Sequence, residues 1–327
     1  MKEATETREL IELDGLDVVV RGTYHKTHDE NCGSWAHSIG QDRLGVVFLN
    51  GLGATRAGQG DAVVYWADSF AANGYPSFRL DLPGHGDSAG DPPAESLGFI
   101  NQGGYASVVA TTIRELKTRF NLSGVVVVGQ CSGAVSAIYT AAATRECMGL
   151  VLLDPYFHLP LKLDSKIRGR LNIWAMKNPV GSFLSSVYGR LKQVRLLLRG
   201  DVPPENANFS LLRHWKELAS TGLPILIFKA PRRKTTGIKP KVGEFDYFKF
   251  ILSLTGRKGR VVVKMMNGAN HTFANRLGRA AVRQHTEQWL TEWFPWIKHE
   301  QDTVNVPCPE RDESSRRHNR LHENYLS

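Results

Sequence analysis

Short apolar strand patterns alternate with helical patterns along the chain, and each strand pattern is bounded by Gly, Pro or Asn. Because they are apolar on both faces, they are typical of the central strands of a parallel sheet covered by helices. The predicted strands are 44–50, 77–82, 124–129, 149–153, 224–229 and 260–265, and the predicted helices are 61–73, 104–120, 133–145 and 277–296. This alternation predicts an α/β fold with a doubly wound, mostly parallel sheet.

The N-terminal part predicts two further strands, 9–13 and 16–23, joined at the turn dipeptide Asp14 and Gly15. A hairpin at this position adds an antiparallel edge to the sheet. Residues 157–221 interrupt the alternation, since they contain amphipathic stretches and no strand pattern. We therefore expect a core from 1–156 and 222–299, a helical cap or lid inserted at 157–221, and a disordered tail at 300–327.

The composition favours a globular protein, because 42% of the 327 residues are hydrophobic and Gly and Pro show no fixed period. No stretch reaches the roughly 18 apolar residues of a membrane helix, and the charged residues 1–15 lack the apolar centre of a signal peptide. We expect a cytoplasmic protein that does not bind membranes. The four cysteines are scattered and form no C-x-x-C pair. No standard metal site has the spacing of His25, His28, Cys32 and His37, so we expect no bound metal.

Basic residues are concentrated in one region. Residues 157–264 contain 22 Lys and Arg against 6 Asp and Glu, although the net charge of the whole chain is only +9. No nucleic-acid-binding motif accompanies this excess, so an anionic substrate or carrier is the expected partner. The alternative is a solvated face that aids solubility.

The segment 129–134, Gly-Gln-Cys-Ser-Gly-Ala, follows a Val-rich strand and precedes an Ala-rich helix. This is the arrangement of a nucleophile elbow, a tight strand-to-helix turn that requires small residues two positions before and after the nucleophile. Cys131 has glycine at both positions, whereas Ser132 would have Gln130 at one of them. A thiol at a helix N-terminus is also favoured as thiolate. The alternative for Cys131 is a small buried core residue.

Two more motifs stand in the expected order. Residues 49–53, Leu-Asn-Gly-Leu-Gly, follow one predicted strand, and residues 81–88 have the form D-x-x-G-x-G-x-S after the next. With the elbow, these motifs resemble the α/β-hydrolase superfamily over most of the chain. Asn50 replaces the usual His and Cys131 the usual Ser. Cysteine in the elbow resembles dienelactone hydrolases and polyhydroxyalkanoate synthases, and the block 269–273 is similar to exosortase-associated hydrolases.

The resemblance implies a catalytic triad with Cys131 as nucleophile and His271, after the last predicted strand, as base. The family acid follows the strand 224–229, yet residues 230–234 contain no carboxylate. We rank Asp246 first as the acid, ahead of Asp154 and Glu244. The backbone N–H groups of Leu52 and Ser132 are the expected oxyanion hole.

Substrate binding is assigned to Asn50 and Gly51 in the oxyanion loop and to Arg232 and Arg233 in the basic cluster. These assignments predict a cofactor-independent hydrolase or acyltransferase that forms an acyl-cysteine from a carboxylic ester or thioester, including donors attached to coenzyme A or a carrier. No acid stands directly after the strand 224–229, and Asn50 replaces the usual His. These two departures leave a second interpretation, a non-catalytic α/β-hydrolase scaffold that binds a partner.

Overall fold

A computed structural model describes residues 7–27, 43–159, 203–231, 245–256 and 258–295. These residues contain one eight-stranded sheet with the strand order β1-β2-β4-β3-β5-β6-β7-β8. The strands are β1 (Arg8–Asp14), β2 (Val19–His25), β3 (Arg43–Leu49), β4 (Ser77–Leu80), β5 (Leu122–Gln130), β6 (Cys147–Leu153), β7 (Pro224–Lys229) and β8 (Arg260–Met265). The strands from β4 to β8 run parallel, whereas β1 and β2 form the antiparallel edge that the sequence predicts.

Helices cover both faces of this sheet. They are α1 (Ala62–Ala72), α2 (Ser96–Asn101), α3 (Ala106–Arg119), α4 (Ser132–Ala143), α5 (Phe209–Thr221), α6 (Tyr247–Ser253) and α7 (Arg276–Trp293). The central strand β5 shows why both faces must be covered: Val125 and Val127 lie in one core cluster, and Val126 and Val128 in the other. The first cluster also contains residues of α3, α4 and α5, and the second residues of α1 and α7. The predicted α/β-hydrolase fold is therefore confirmed.

The parallel pairing aligns the carboxyl ends of the central strands at one edge of the sheet. Leu49 of β3 pairs with Gly129 of β5, and Gln130 of β5 pairs with Leu153 of β6. The chain segments that follow these strands therefore emerge side by side. In open α/β sheets this edge is where ligands bind.

The predicted cap, 157–221, is described only at its two ends. Helix α5 lies within 157–221, but Trp215 is fully buried in the first core cluster and α5 packs against α4. The apolar face of this helix thus belongs to the core and packs beside α4. The remainder of the predicted cap, 160–202, and the predicted tail, 300–327, lie outside the described residues. Among the helices that are described, none is long and apolar enough to cross a bilayer.

Candidate active site

The turn between β5 and α4 has the backbone of a nucleophile elbow. Cys131 lies at its apex with φ 54° and ψ −114°, and helix α4 begins at Ser132. Positive φ is unfavourable for a residue with a Cβ and is found where surrounding structure enforces it, often at functional sites. A Cβ on Gly129 would lie 2.5 Å from the carbonyl oxygen of Gly133, and a Cβ on Gly133 would lie 2.1 Å from that of Leu49. Both flanking positions therefore require glycine, as the sequence indicates for a turn centred on Cys131.

Backbone hydrogen bonds fix this turn, and its thiol is only partly buried. The Cys131 N–H donates to the Leu153 carbonyl at 2.9 Å, and the Cys131 carbonyl accepts from the Ala134 N–H at 3.1 Å. Cys147 differs, because it is fully buried and burial raises its pKa to about 12. The accessible thiol of the two is therefore Cys131.

His271 lies in the loop between β8 and α7, which two neighbouring residues hold in place. Phe273 adopts a positive φ of 54° and is completely buried in the second core cluster. Asn270 accepts hydrogen bonds from the backbone N–H groups of Phe273 and Ala274, through its carbonyl and side-chain oxygens respectively. The imidazole of His271 itself is half exposed, at 53%.

The imidazole of His271 meets the carboxylate of Asp154. Its Nδ1 hydrogen-bonds Oδ2 of Asp154, and Cys131 lies near the ring. The hydrogen bond with Asp154, and after it the interaction with the Cys131 side chain, raise the pKa of His271 to about 10. The imidazole is thus protonated at neutral pH, a state that the carboxylate stabilises.

Asp154 follows β6 directly and is held by its neighbours on β7. Its backbone N–H donates to the Phe228 carbonyl at 2.8 Å, and Lys229 Nζ contacts its Oδ1. Burial alone would raise the pKa of the Asp154 carboxyl, but the hydrogen bonds from His271 and Lys229 hold that pKa below its ordinary value. The side chain is only 12% exposed. The carboxylate therefore stays charged where it faces the imidazole.

The ranking of Asp246 as first partner of His271 needs correction. The exposed Asp246 is the N-cap of α6, and its carboxylate accepts from the backbone N–H groups of Phe248 and Lys249 at 3.0 and 3.1 Å. A cap of this kind satisfies orphan helix donors, which explains why an acid stands at this position. The carboxylate that meets His271 is the lower-ranked Asp154. Glu244, the third candidate, lies outside the described residues.

The predicted oxyanion loop contacts the elbow. The Leu52 N–H donates to Ser132 Oγ at 2.7 Å, and a Cβ on Gly51 would lie 3.5 Å from the Cβ of Cys131. Asn50 is buried and its side-chain amide donates to the Thr55 carbonyl at 2.6 Å, so it shapes the loop. Asn50, Gly51 and Leu52 also line a small cavity together with Ala54, Leu80, Leu82, His85 and Ile100. This cavity is mainly apolar.

The motif at 81–88 packs against the segment that follows this loop. The Asp81 carboxylate is buried, accepts from the Arg56 backbone N–H at 2.6 Å and forms an ion pair with the Arg56 guanidinium. Gly86 adopts φ 55°, and a Cβ there would lie 2.3 Å from the Asp81 carboxylate. The aspartate and second glycine of the motif are therefore needed for packing against the loop.

Sequence reasoning assigned no role to two side chains near Asp154 and Cys131. Lys229 occupies the end of the strand after which the family acid was expected. Tyr156 has a buried hydroxyl with no hydrogen-bond partner among the described residues, and burial and the nearby Cys131 raise its pKa. A lysine at the end of this strand is a signal visible in the sequence. Arg232 and Arg233 lie outside the described residues.

Other titratable groups form structural pairs. Within the described ranges, no group of three or more His, Cys, Asp or Glu side chains is arranged to hold a metal ion. His25 is buried, contacts Asp68 through Nδ1 at 2.8 Å and accepts from Arg79 through Nε2 at 2.7 Å. Burial lowers the pKa of His25. His28, Cys32 and His37 are outside the described part of the chain.

Comparison with known proteins defines the class to which this fold belongs. Residues 46–293 match the family model described as the alpha/beta hydrolase family. The match covers well over half of the chain, so the protein belongs to that hydrolase family. No curated protein matches the chain.

Solved structures agree with the fold at low sequence identity. An esterase of Pyrococcus furiosus is similar with a TM-score of 0.54 and 16% identity, over 88% of this chain and 91% of that chain. The ferulic acid complex of Est1E from Butyrivibrio proteoclasticus gives 0.53 and 12%, over 86% and 98% of the two chains. A dienelactone hydrolase from Anabaena variabilis gives 0.50 and 12%, over 90% and 100%.

Proposed function

We propose that this protein is a cofactor-independent hydrolase or acyltransferase that cleaves a carboxylic ester or thioester through an acyl-Cys131 intermediate. The observation that carries the proposal is the hydrogen bond between His271 Nδ1 and Asp154 Oδ2, with the ring close enough to Cys131 for that side chain to raise the pKa of the imidazole. A nucleophile, a base and an orienting carboxylate in this order form the unit that acyl transfer requires. The esterases of similar fold are consistent with this substrate class.

Acylation is proposed to use Cys131 in its thiolate form, with the proton on His271. The hydrogen bond with Asp154 raises the pKa of His271 and so favours the protonated ring. The sulfur attacks the carbonyl carbon, and the C=O electron pair moves to oxygen. His271 then donates its proton to the leaving alkoxide or thiolate as the bond to the leaving group breaks. The products are an acyl-thioester on Cys131, a free alcohol or thiol and a neutral imidazole.

Deacylation uses the same groups in reverse order. Neutral His271 takes a proton from water or from another acceptor, whose oxygen or nitrogen attacks the thioester carbonyl. Collapse of the tetrahedral intermediate expels the Cys131 thiolate and leaves the imidazolium, so the starting state is restored. Asp154 keeps Nδ1 of His271 protonated throughout and thereby directs the other ring nitrogen toward the reaction.

The oxyanion formed in both steps needs preorganised donors. The Ser132 N–H at the start of α4 and the Leu52 N–H are the groups we assign to it. Since the Leu52 N–H donates to Ser132 Oγ in this structure, the substrate oxygen must compete with or displace that hydroxyl.

The basic region defines the class of acyl donor that we propose. Residues 157–264 carry an excess of 16 positive charges, from 22 basic and 6 acidic residues, and Arg232 and Arg233 follow the strand that contacts Asp154. Phosphorylated donors such as coenzyme A or a carrier arm match this charge. A thioester intermediate is also open to aminolysis and transesterification, which makes acyl transfer a variant of the same mechanism.

Turnover of p-nitrophenyl acetate by single-residue variants tests the proposed function. We expect Cys131→Ala and prior alkylation with iodoacetamide to abolish turnover, while Ser132→Ala retains it. Thiol alkylation of Cys131 at a normal rate in a protein that hydrolyses no ester would instead support a non-catalytic scaffold. Turnover that survives Cys131→Ala and is lost in Ser132→Ala would assign the nucleophile to Ser132.

Ionic strength tests the donor class separately. Rates with an acyl-coenzyme A and with a neutral ester of the same acyl group are compared between about 0.01 and 0.5 M salt, where screening of exposed charges becomes strong. We expect kcat/KM for the coenzyme A donor to fall much more steeply. Equal salt dependence of the two donors would remove the anionic-donor proposal and leave the esterase chemistry untouched.

A further inference from the structure

Lys229 contacts the catalytic carboxylate from the neighbouring strand. Leu153 of β6 pairs with Phe228 of β7, so Asp154 and Lys229 stand side by side where the two strands end. Lys229 Nζ contacts Oδ1 of Asp154, and His271 Nδ1 contacts Oδ2 of the same carboxylate. Each oxygen therefore has one cationic or donor partner, and the carboxylate bridges the lysine and the imidazole.

We propose that Lys229 is a positioning residue of the triad, which holds the Asp154 carboxylate in the orientation that presents Oδ2 to His271. This inference rests on the proposed function, because it assigns Lys229 to the same site. A carboxylate with one partner is free to rotate about the bond to its Cβ. A second partner on Oδ1 removes that freedom and reduces the orientational cost of the bond to His271.

The backbone of Asp154 leaves its side-chain rotation for such a partner to fix. Asp154 adopts φ 49°, in the left-handed region, immediately after the strand. Its backbone is fixed by the hydrogen bond to Phe228, which leaves side-chain rotation as the remaining freedom. The side chains of Lys229 and Asp154 are 22% and 12% exposed, so water screens their interaction less than at an open surface.

Lys229 also limits the effect of Asp154 on the imidazole. Among the described residues, the charged or titratable groups around His271 are Asp154 from the end of β6, Cys131 from the elbow and, across the carboxylate, Lys229 from β7. The ammonium shares the negative charge of Asp154. Without it, the full carboxylate charge would act on His271 and would favour the imidazolium more strongly.

Removal of this ammonium therefore has a defined signature. In Lys229→Met we expect the pKa of His271 to rise by roughly one unit, the lower end of the range for a nearby charge. The neutral imidazole needed for deacylation then becomes about tenfold rarer at neutral pH, so kcat falls about tenfold and its acid limb moves to higher pH. Lys229→Arg retains a cation and is expected to keep the wild-type profile.

The experiment measures His271 directly and activity separately. NMR titration of ring-labelled histidine, assigned with His271→Gln, is recorded for the wild type, Lys229→Met, Lys229→Gln and Lys229→Arg, together with kcat against pH. Lys249→Met removes an exposed lysine from α6 and is the matched control, expected to change neither readout. If Lys229→Met does not fold, Lys229→Gln supplies the neutral variant.

A rise in the pKa of His271 in the neutral variants, with recovery in Lys229→Arg, supports the inference, and a fall in that pKa overturns it. An unchanged titration with unchanged kcat overturns it, as does a uniform loss of kcat in all three variants with no shift in His271. Failure of the proposed function has a different signature, since turnover would then be indifferent to Cys131→Ala, while the titration would still report on Lys229.

Discussion

The side chain of Gln130 donates a hydrogen bond to the backbone carbonyl of Thr272, which joins the elbow to the loop that carries His271. Gln130 is the residue before the proposed nucleophile, and Thr272 is the residue after the proposed base. Because the two loops come from chain positions 142 residues apart, this bond fixes their separation directly. The sulfur and the imidazole thus share one support.

Loss of this bond is expected to affect turnover more than thiol accessibility. In Gln130→Ala the His271 loop loses its connection to the elbow, and a displacement near 1 Å at a catalytic group lowers the rate by about 100-fold. Ester turnover and the rate of alkylation of Cys131 should be measured on the same sample. Equal turnover in Gln130→Ala and the wild type would show that the bond has no catalytic consequence.

Mutation distinguishes Asp154 from Asp246, the two aspartates that the sequence offers as partners of His271. Asp154→Asn removes the charge that orients His271, so we expect kcat to fall by at least about 100-fold. Asp246→Asn should stay within about twofold, because asparagine is as good an N-cap as aspartate. Steady-state kinetics of the two variants decides the assignment. A greater loss in Asp246→Asn would return that residue to the site.

The raised pKa of His271 predicts a pH dependence of stability. Its pKa is about 10 in the folded state and about 6.5 when unfolded, so the protonated ring stabilises the fold fully below pH 6.5. This contribution is lost as pH rises from 6.5 to 10. Because the ring is half exposed, water screens the interaction and we expect at most about 1 kcal/mol.

Urea unfolding between pH 6 and pH 10 measures this term as the difference between the wild type and His271→Gln. The difference should shrink steadily across the range. Other groups titrate in both proteins and cancel to first order. A difference that is constant with pH, or that grows as pH rises, would contradict the assigned protonation state.

The elbow glycines predict a strong steric effect at one position. In Gly133→Ala the new Cβ would lie 2.1 Å from the Leu49 carbonyl oxygen, and backbone cannot move aside without shifting β3. We expect a loss of about 1 to 3 kcal/mol in the free energy of unfolding together with loss of turnover. Gly98→Ala is the matched control, since its Cβ meets only ordinary contacts on α2. A wild-type Tm and turnover in Gly133→Ala would show that the turn tolerates a side chain.

Much of the fold could be predicted because each relevant signal is local. The Val-rich run of β5 is buried on both faces, and the two glycines around Cys131 mark the turn within five residues. His271 could be selected as a candidate because it lies in the loop after the last predicted strand. These features depend on neighbouring residues in the chain, and periodicity and turn chemistry describe them well.

The sequence could not rank Asp154 first as the partner of His271, because its position depends on strand pairing. Asp154 and His271 are 117 residues apart and meet only after β6, β7 and β8 align in register. The sequence around Asp246 contains an acid before a short helix, which serves equally for a cap or a catalytic group. Lys229 shows the same limitation, since its partner lies on the adjacent strand.

The acyl-enzyme itself is the most direct test of the proposed chemistry. The protein is mixed with p-nitrophenyl acetate, quenched in acid within the first turnover, digested and analysed by mass spectrometry. We predict one acyl group at the sulfur of Cys131, on the peptide that contains this residue. The group should be absent in Cys131→Ala and longer-lived in His271→Gln, because deacylation lacks its base there. An acyl group on Ser132, or no acyl-enzyme in a protein that turns over the ester, would contradict the account.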